Sequence, residues 1–113
     1  MIAVIFEVTP VYGRRSTYLD LAAQLHARLD KIDGFLSIER FESLTTPGKI
    51  LSLSFWRDEE AVREWRNLPE HREVQRVARR SIFEDYRLRV AHVLRDYGMN
   101  ERSEVPEDSK MSG

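Results

Sequence analysis

Residues 2–8, IAVIFEV, would be apolar on both faces of a strand. Ile2, Val4, Phe6 and Val8 point one way, while Ala3 and Ile5 point the other until Glu7 interrupts. A strand that is apolar on both sides needs cover on both sides. This excludes a single solvated sheet and requires either two further layers within the chain or a second chain against it. With 113 residues the chain fits one compact domain, so its own helices are too few to cover both faces.

The remaining segments supply one layer. Pro10 and Gly13 end the first strand, and Ser16 or Thr17 is placed to cap a helix. Tyr18, Leu21, Ala22, Leu25 and Leu29 recur in that helix at helical spacing. Asp33-Gly34 marks a turn, and FLSIERFES (about 35–43) and KILSLSFW (about 49–56) read as strands. Thr45, Thr46, Pro47 and Gly48 suit the hairpin loop between them. Asp58 is a good N-cap, with Glu59 and Glu60 in the first turn of a helix reaching about Arg66. Asn67 and Pro69 predict a break and restart, after which His71, Val74, Gln75, Ala78 and Ile82 form one stripe. Residues 84–97 read as a last strand, with Tyr86, Leu88, Val90, His92 and Leu94 on one side. Its other side carries Arg87 and Arg89, expected to pair with Glu39 or Glu42 across the sheet or between subunits.

The order strand, helix, strand, strand, helix, strand is the split βαβ arrangement. The predicted fold class is α+β, ferredoxin-like βαββαβ, an antiparallel sheet with its helices on one face. Residues 1–99 form this domain. Residues 100–113 are polar, with little apolar surface to bury, and are expected to be a mobile tail. The bare sheet face, seen against the doubly apolar first strand, predicts a homodimer.

Several functional classes drop out. The chain has no Cys, which excludes disulfides, Cys-based metal centres and thiol catalysis. Its formal net charge of −1 gives no electrostatic basis for nucleic-acid binding. RNA recognition motifs share this element order, but KILSLSFW lacks their stacking pattern. No apolar run is long enough to span a membrane, and the first residues carry no basic region typical of a signal peptide, so a cytoplasmic setting is expected. Neither GxGxxG, a Walker loop, GxSxG, HxH nor HExxH occurs, and His26, His71 and His92 fall on three different elements. No metal site is expected.

What remains is the aromatic and polar block at 55–80. Trp65 shares a helical face with Ala61 and Val62, either as plain helix-to-sheet packing or as the wall of a pocket. His71 is one of few groups that titrate near neutrality, though a histidine in a first helical turn often just bonds locally. Arg80 is either an anion contact or a solvated charge, and Tyr86 can supply a hydroxyl.

The string FW-x-DEEA-x-x-x-W from Phe55, followed by EHREVQR, closely resembles the SxWxSxEAxxxWxxxxEHxxxxR run of the antibiotic biosynthesis monooxygenase family, small dimeric α/β-barrel proteins. The resemblance extends over about residues 1–97 and includes Gly34-Phe35 at the start of the second strand. It implies cofactor-independent oxygenation by O₂ of a small phenol- or anthrone-like aromatic, bound as a hydrophobic ligand in a homodimer. It also implies catalytic roles for Trp65 and His71 and substrate contacts from Phe6, Tyr86 and Arg80. A haem-degrading branch uses a first-strand Asn and a His ligand one turn beyond the position of His71. Here those places hold Phe6 and Glu7, and Gln75, so haem is disfavoured. The competing reading is a non-catalytic dimeric module of the same fold that binds a small ligand or serves in a stress response.

Overall fold

A computed structural model describes residues 1–109 of the chain. In chain order the elements are β1 (Ile2–Pro10), α1 (Arg15–Leu29), β2 (Phe35–Glu42), β3 (Ile50–Trp56), α2 (Glu59–Arg66), α3 (Pro69–Ser81) and β4 (Phe83–His92), followed by a short 3₁₀ turn at Glu107–Ser109. All neighbouring strands are antiparallel, and the sheet order is β2-β3-β1-β4, the expected ferredoxin-like topology. Among the described residues no helix is long and apolar enough to cross a membrane.

Local chemistry accounts for most boundaries. The Asp58 carboxylate accepts the Ala61 N–H at 3.0 Å and so caps α2. Pro69 opens α3 at a position where a missing N–H costs nothing. Neither Ser16 nor Thr17 caps α1. Gly13, at φ 83°, turns the chain early, Arg14 takes the cap position without a side-chain bond, and both hydroxyl residues lie inside the helix. β4 stops at His92 rather than near residue 97: His92 pairs with Ile2, the first residue of β1, and one further bond, from the Val93 N–H to the Met1 carbonyl at 3.0 Å, follows it.

The register also corrects the pairing within the sheet expected for Arg89. β4 lies beside β1, far from β2, so Arg89 bonds Glu7 at 2.7 Å, with Lys49 3.7 Å away on the other side of the same carboxylate. Glu42 pairs with Arg15 instead.

The core is divided. One cluster joins Ile2, Leu29, Ile32, Trp56, Ala61 and Val62, and a second joins Val8, Tyr18, Ile50, Ala78 and Ile82. On the sheet face turned away from the helices, Leu51, Leu53 and Phe55 alternate with the buried Ile50, Ser52, Ser54 and Trp56 and are only half-buried. Phe41 is exposed. In the segment expected to be a tail, Val105 is buried and the Arg102 guanidinium donates to the Gly98 carbonyl at 3.1 Å. Residues 110–113 lie outside the described residues.

Candidate functional site

Between the two core clusters the helices and sheet fail to meet, leaving a cavity of about 110 Å³. Its floor is the helix-facing side of the sheet: Val4 and Phe6 from β1, Ile38 and Arg40 from β2, and Ser52, Ser54 and Trp56 from β3. α1 contributes Tyr18, Leu21, Ala22, Leu25 and Leu29, the stripe its periodicity predicts. Trp65 enters from α2, and His71, Val74, Gln75 and Ala78 enter from α3. Leu88 on β4 is the one lining residue in the exposed class, at 51%, so the cavity meets solvent beside it.

A bulge at the start of β2 sets part of this floor. The register slips between Phe35 and Ser37, which puts Phe35 opposite Trp56, their rings edge to face at 5.2 Å. Beyond the slip, Ile38 and Arg40 keep to the cavity side, and Arg40 sits opposite Ser52. The Arg40 Nε is fully buried and finds no partner among the described residues.

The aromatic wall is continuous. Trp56, 1% exposed, donates its indole N–H to the Ser54 hydroxyl at 2.9 Å. Trp65 follows at 6.5 Å from Trp56, and His71 lies 4.4 Å from Trp65, centroid to centroid. Burial holds His71 below the ordinary histidine value, while the Arg66 backbone acts weakly in the opposite sense. Its Nδ1 is buried without a partner. His71 is therefore neutral at pH 7 and has a free ring nitrogen, the form in which imidazole accepts a proton.

The expected site residues divide. Phe6, Trp65 and His71 all line the cavity. Arg80 does not: it stands nine residues after His71 on α3, about two and a half turns on, and points to solvent on the opposite side of the helix. Tyr86 is also displaced from the lining. The register sets it opposite Val8 and sets Leu88 opposite Phe6, so the Tyr86 ring supports Phe6 from behind at 5.7 Å. Sequence reasoning did not single out Arg40, Ser52 or Ser54. The strict alternation of KILSLSFW, which puts two serines on the same face as Ile50 and Trp56, was the available signal.

Comparison with known proteins bears on this geometry. The family model for antibiotic biosynthesis monooxygenase matches residues 1–77. A curated relative, the jasmonate monooxygenase ABM of Pyricularia oryzae, is 45% identical over 105 residues, covering 93% of this chain and 49% of the relative. The chain thus spans about half the length of that relative. Among solved structures, Rv0793 from Mycobacterium tuberculosis superposes with a TM-score of 0.76 at 21% identity, covering 86% of this chain and 98% of its own. A candidate antibiotic biosynthesis monooxygenase from Deinococcus radiodurans gives 0.76 at 15% identity, covering 88% and 98%. At such identities the two structures speak for the fold.

Proposed function

The chain belongs to the antibiotic biosynthesis monooxygenase family, and on that premise we propose that it is a monooxygenase acting with O₂ on a small, largely apolar substrate held in the cavity beside Trp65 and His71. The observation that carries this reading is a ring-scale space with a neutral, partly unpartnered imidazole in its wall.

The proposed chemistry needs little from the protein. For a phenol- or anthrone-like substrate, His71 accepts a proton and leaves an electron-rich carbanion that reduces O₂. A ring CH₂ becomes a carbonyl, one oxygen atom stays in the product, the other leaves as water, and the substrate supplies all four electrons. An apolar wall strengthens each remaining charge interaction and excludes water from the intermediate. An engineered cavity of ~150 Å³ takes benzene, so about 110 Å³ favours one ring inside with the remainder of the substrate passing Leu88. Jasmonate, named for the Pyricularia relative, is the second substrate to assay.

The same reading disfavours haem: a space of about 110 Å³ is small for a porphyrin, and Gln75 stands at the position where the haem-degrading branch has its ligand. The free sheet face, with Leu51, Leu53 and Phe55 half-buried, supports a homodimer formed through it.

The test is oxygen uptake with a dihydroxynaphthalene, a hydroxyanthrone and jasmonate, for the wild type and for Trp65→Ala and His71→Ala. Uptake that falls in both variants is expected. Ligand binding without uptake in the wild type would leave the non-catalytic module, and unaltered uptake in both variants would remove these two residues from the chemistry.

A further inference from the structure

The cavity has an uneven charge. Its lining includes one permanent cation, Arg40, and no aspartate or glutamate, and His71 is held neutral by burial. Among the described residues the arginines that bond acid side chains sit on the surface, as Arg57 does with Asp33 and Asp58, or Arg76 with Glu73. Arg40 is different: it projects from the floor of the cavity, its Nε is shut off from solvent, and no acid pairs with it among the described residues. A buried donor on a charged group is costly to leave unpaired, more so than a neutral one.

Hydroxyls flank it. Ser52 lies directly across the strand pair, and Ser54 is two residues further along β3 on the same face. Ser54 already accepts the Trp56 N–H, so its own proton is left to donate. The buried Arg40 Nε and the two serines thus lie on one face of the floor, while the walls are aliphatic and aromatic. Planar donors of this kind match a carboxylate better than they match a point charge or a neutral carbonyl.

We propose that the ligand of this cavity is an apolar-bodied monocarboxylate, its carboxylate held by Arg40 with Ser52 and Ser54 and its body against Trp65 and Phe6. The proposal deepens the functional reading above and rests on the same cavity, with Arg40 as the residue that selects acids over their neutral counterparts. The carboxylate end lies against β2 and β3, which leaves the rest of the molecule between His71 and the opening at Leu88.

The experiment is equilibrium binding by calorimetry under nitrogen, so that no turnover is involved. The probes are phenylacetate and cyclohexylacetate, each beside its methyl ester, titrated into the wild type, Arg40→Gln and Arg40→Lys. The wild type is expected to bind each acid at least about tenfold more tightly than its ester, equivalent to ~1.4 kcal/mol. Arg40→Gln should erase that preference, and Arg40→Lys should restore part of it. Equal affinity of the wild type for acid and ester overturns the proposal, whether or not the variants fold. So does a preference that survives in a folded Arg40→Gln. Acid-selective binding without oxygen uptake would sink the monooxygenase reading and keep this one, and uptake with no acid preference would do the reverse.

Discussion

The rings of Trp65 and His71 lie 4.4 Å apart although they belong to different helices, brought together across the break between α2 and α3. The indole shields one side of the imidazole and forms the cavity wall beside it. Trp65→Ala should open that wall to solvent and lower oxygen uptake at least about tenfold, the loss expected when a bound substrate is no longer oriented and kept dry. Trp65→Phe, which keeps a ring, should retain more activity than the alanine variant.

The protonation of His71 gives a pH signature. Burial lowers its pKa, so on acidification an unfolded chain takes up this proton before the folded one does. The stability associated with neutral His71 is fully present above the ordinary histidine pKa of ~6.5 and is lost as pH falls through the lower folded value. Urea titrations between pH 7.5 and 5 should show wild-type stability falling more steeply than that of His71→Asn. The imidazole carbon resonances, followed by NMR, should titrate below the free-histidine midpoint. Activity that needs a neutral base should hold down to about that same lowered pKa.

Ser54→Ala removes the acceptor for a nearly inaccessible indole N–H. An unsatisfied buried donor costs about 1–3 kcal/mol. The denaturation midpoint should drop accordingly, and Trp56→Phe combined with Ser54→Ala should recover part of the hydrogen-bond penalty in a double-mutant cycle.

Gly34→Ala tests how closely α2 is seated. Gly34 has φ 95°, and a Cβ there would come within 2.9 Å of the Ala61 Cβ, itself buried at the start of α2. Strain and clash together should cost about 1–3 kcal/mol. Because α2 carries Trp65, the variant should also bind ligand more weakly, which calorimetry on the folded fraction would reveal.

Leu53→Glu places a charge on the free sheet face, away from the cavity. If that face joins two copies, sedimentation equilibrium should show a dimer for the wild type and a monomer for the variant, with the helical circular dichroism retained. A dimeric variant would mean that the copies meet elsewhere.

The element order was legible in the sequence because its signals were local: Asp58 before Glu59-Glu60, Pro69 at a helix start, the short two-sided apolar run of β1 and the alternation in β3. Trp65 and His71 were legible for a related reason, since both sit in the block that resembles the family run. Arg40 was not. Its importance depends on a one-residue slip in β2 and on which face of a two-sided strand the helices cover, and both are decided by long-range packing. Arg80 stands nine residues after His71 on one continuous helix, half a turn round, so its outward position was legible in that spacing. The partner of Arg89 depended on strand order, which local pattern does not specify.

The bend at Leu68-Pro69 has a consequence for sequence change in this chain. Leu68 sits in an extended conformation before α3, and the Arg72 N–H reaches back to its carbonyl at 3.0 Å. A residue added or removed there would change the span that joins α2 to α3 and so the distance at which the imidazole meets the indole. Leu68 also packs against the first core cluster and the Asn67 side chain accepts from the Arg72 guanidinium, so the short connection is held at its length by its own side chains, and a one-residue deletion between Arg66 and Pro69 should be more damaging than Asn67→Ala.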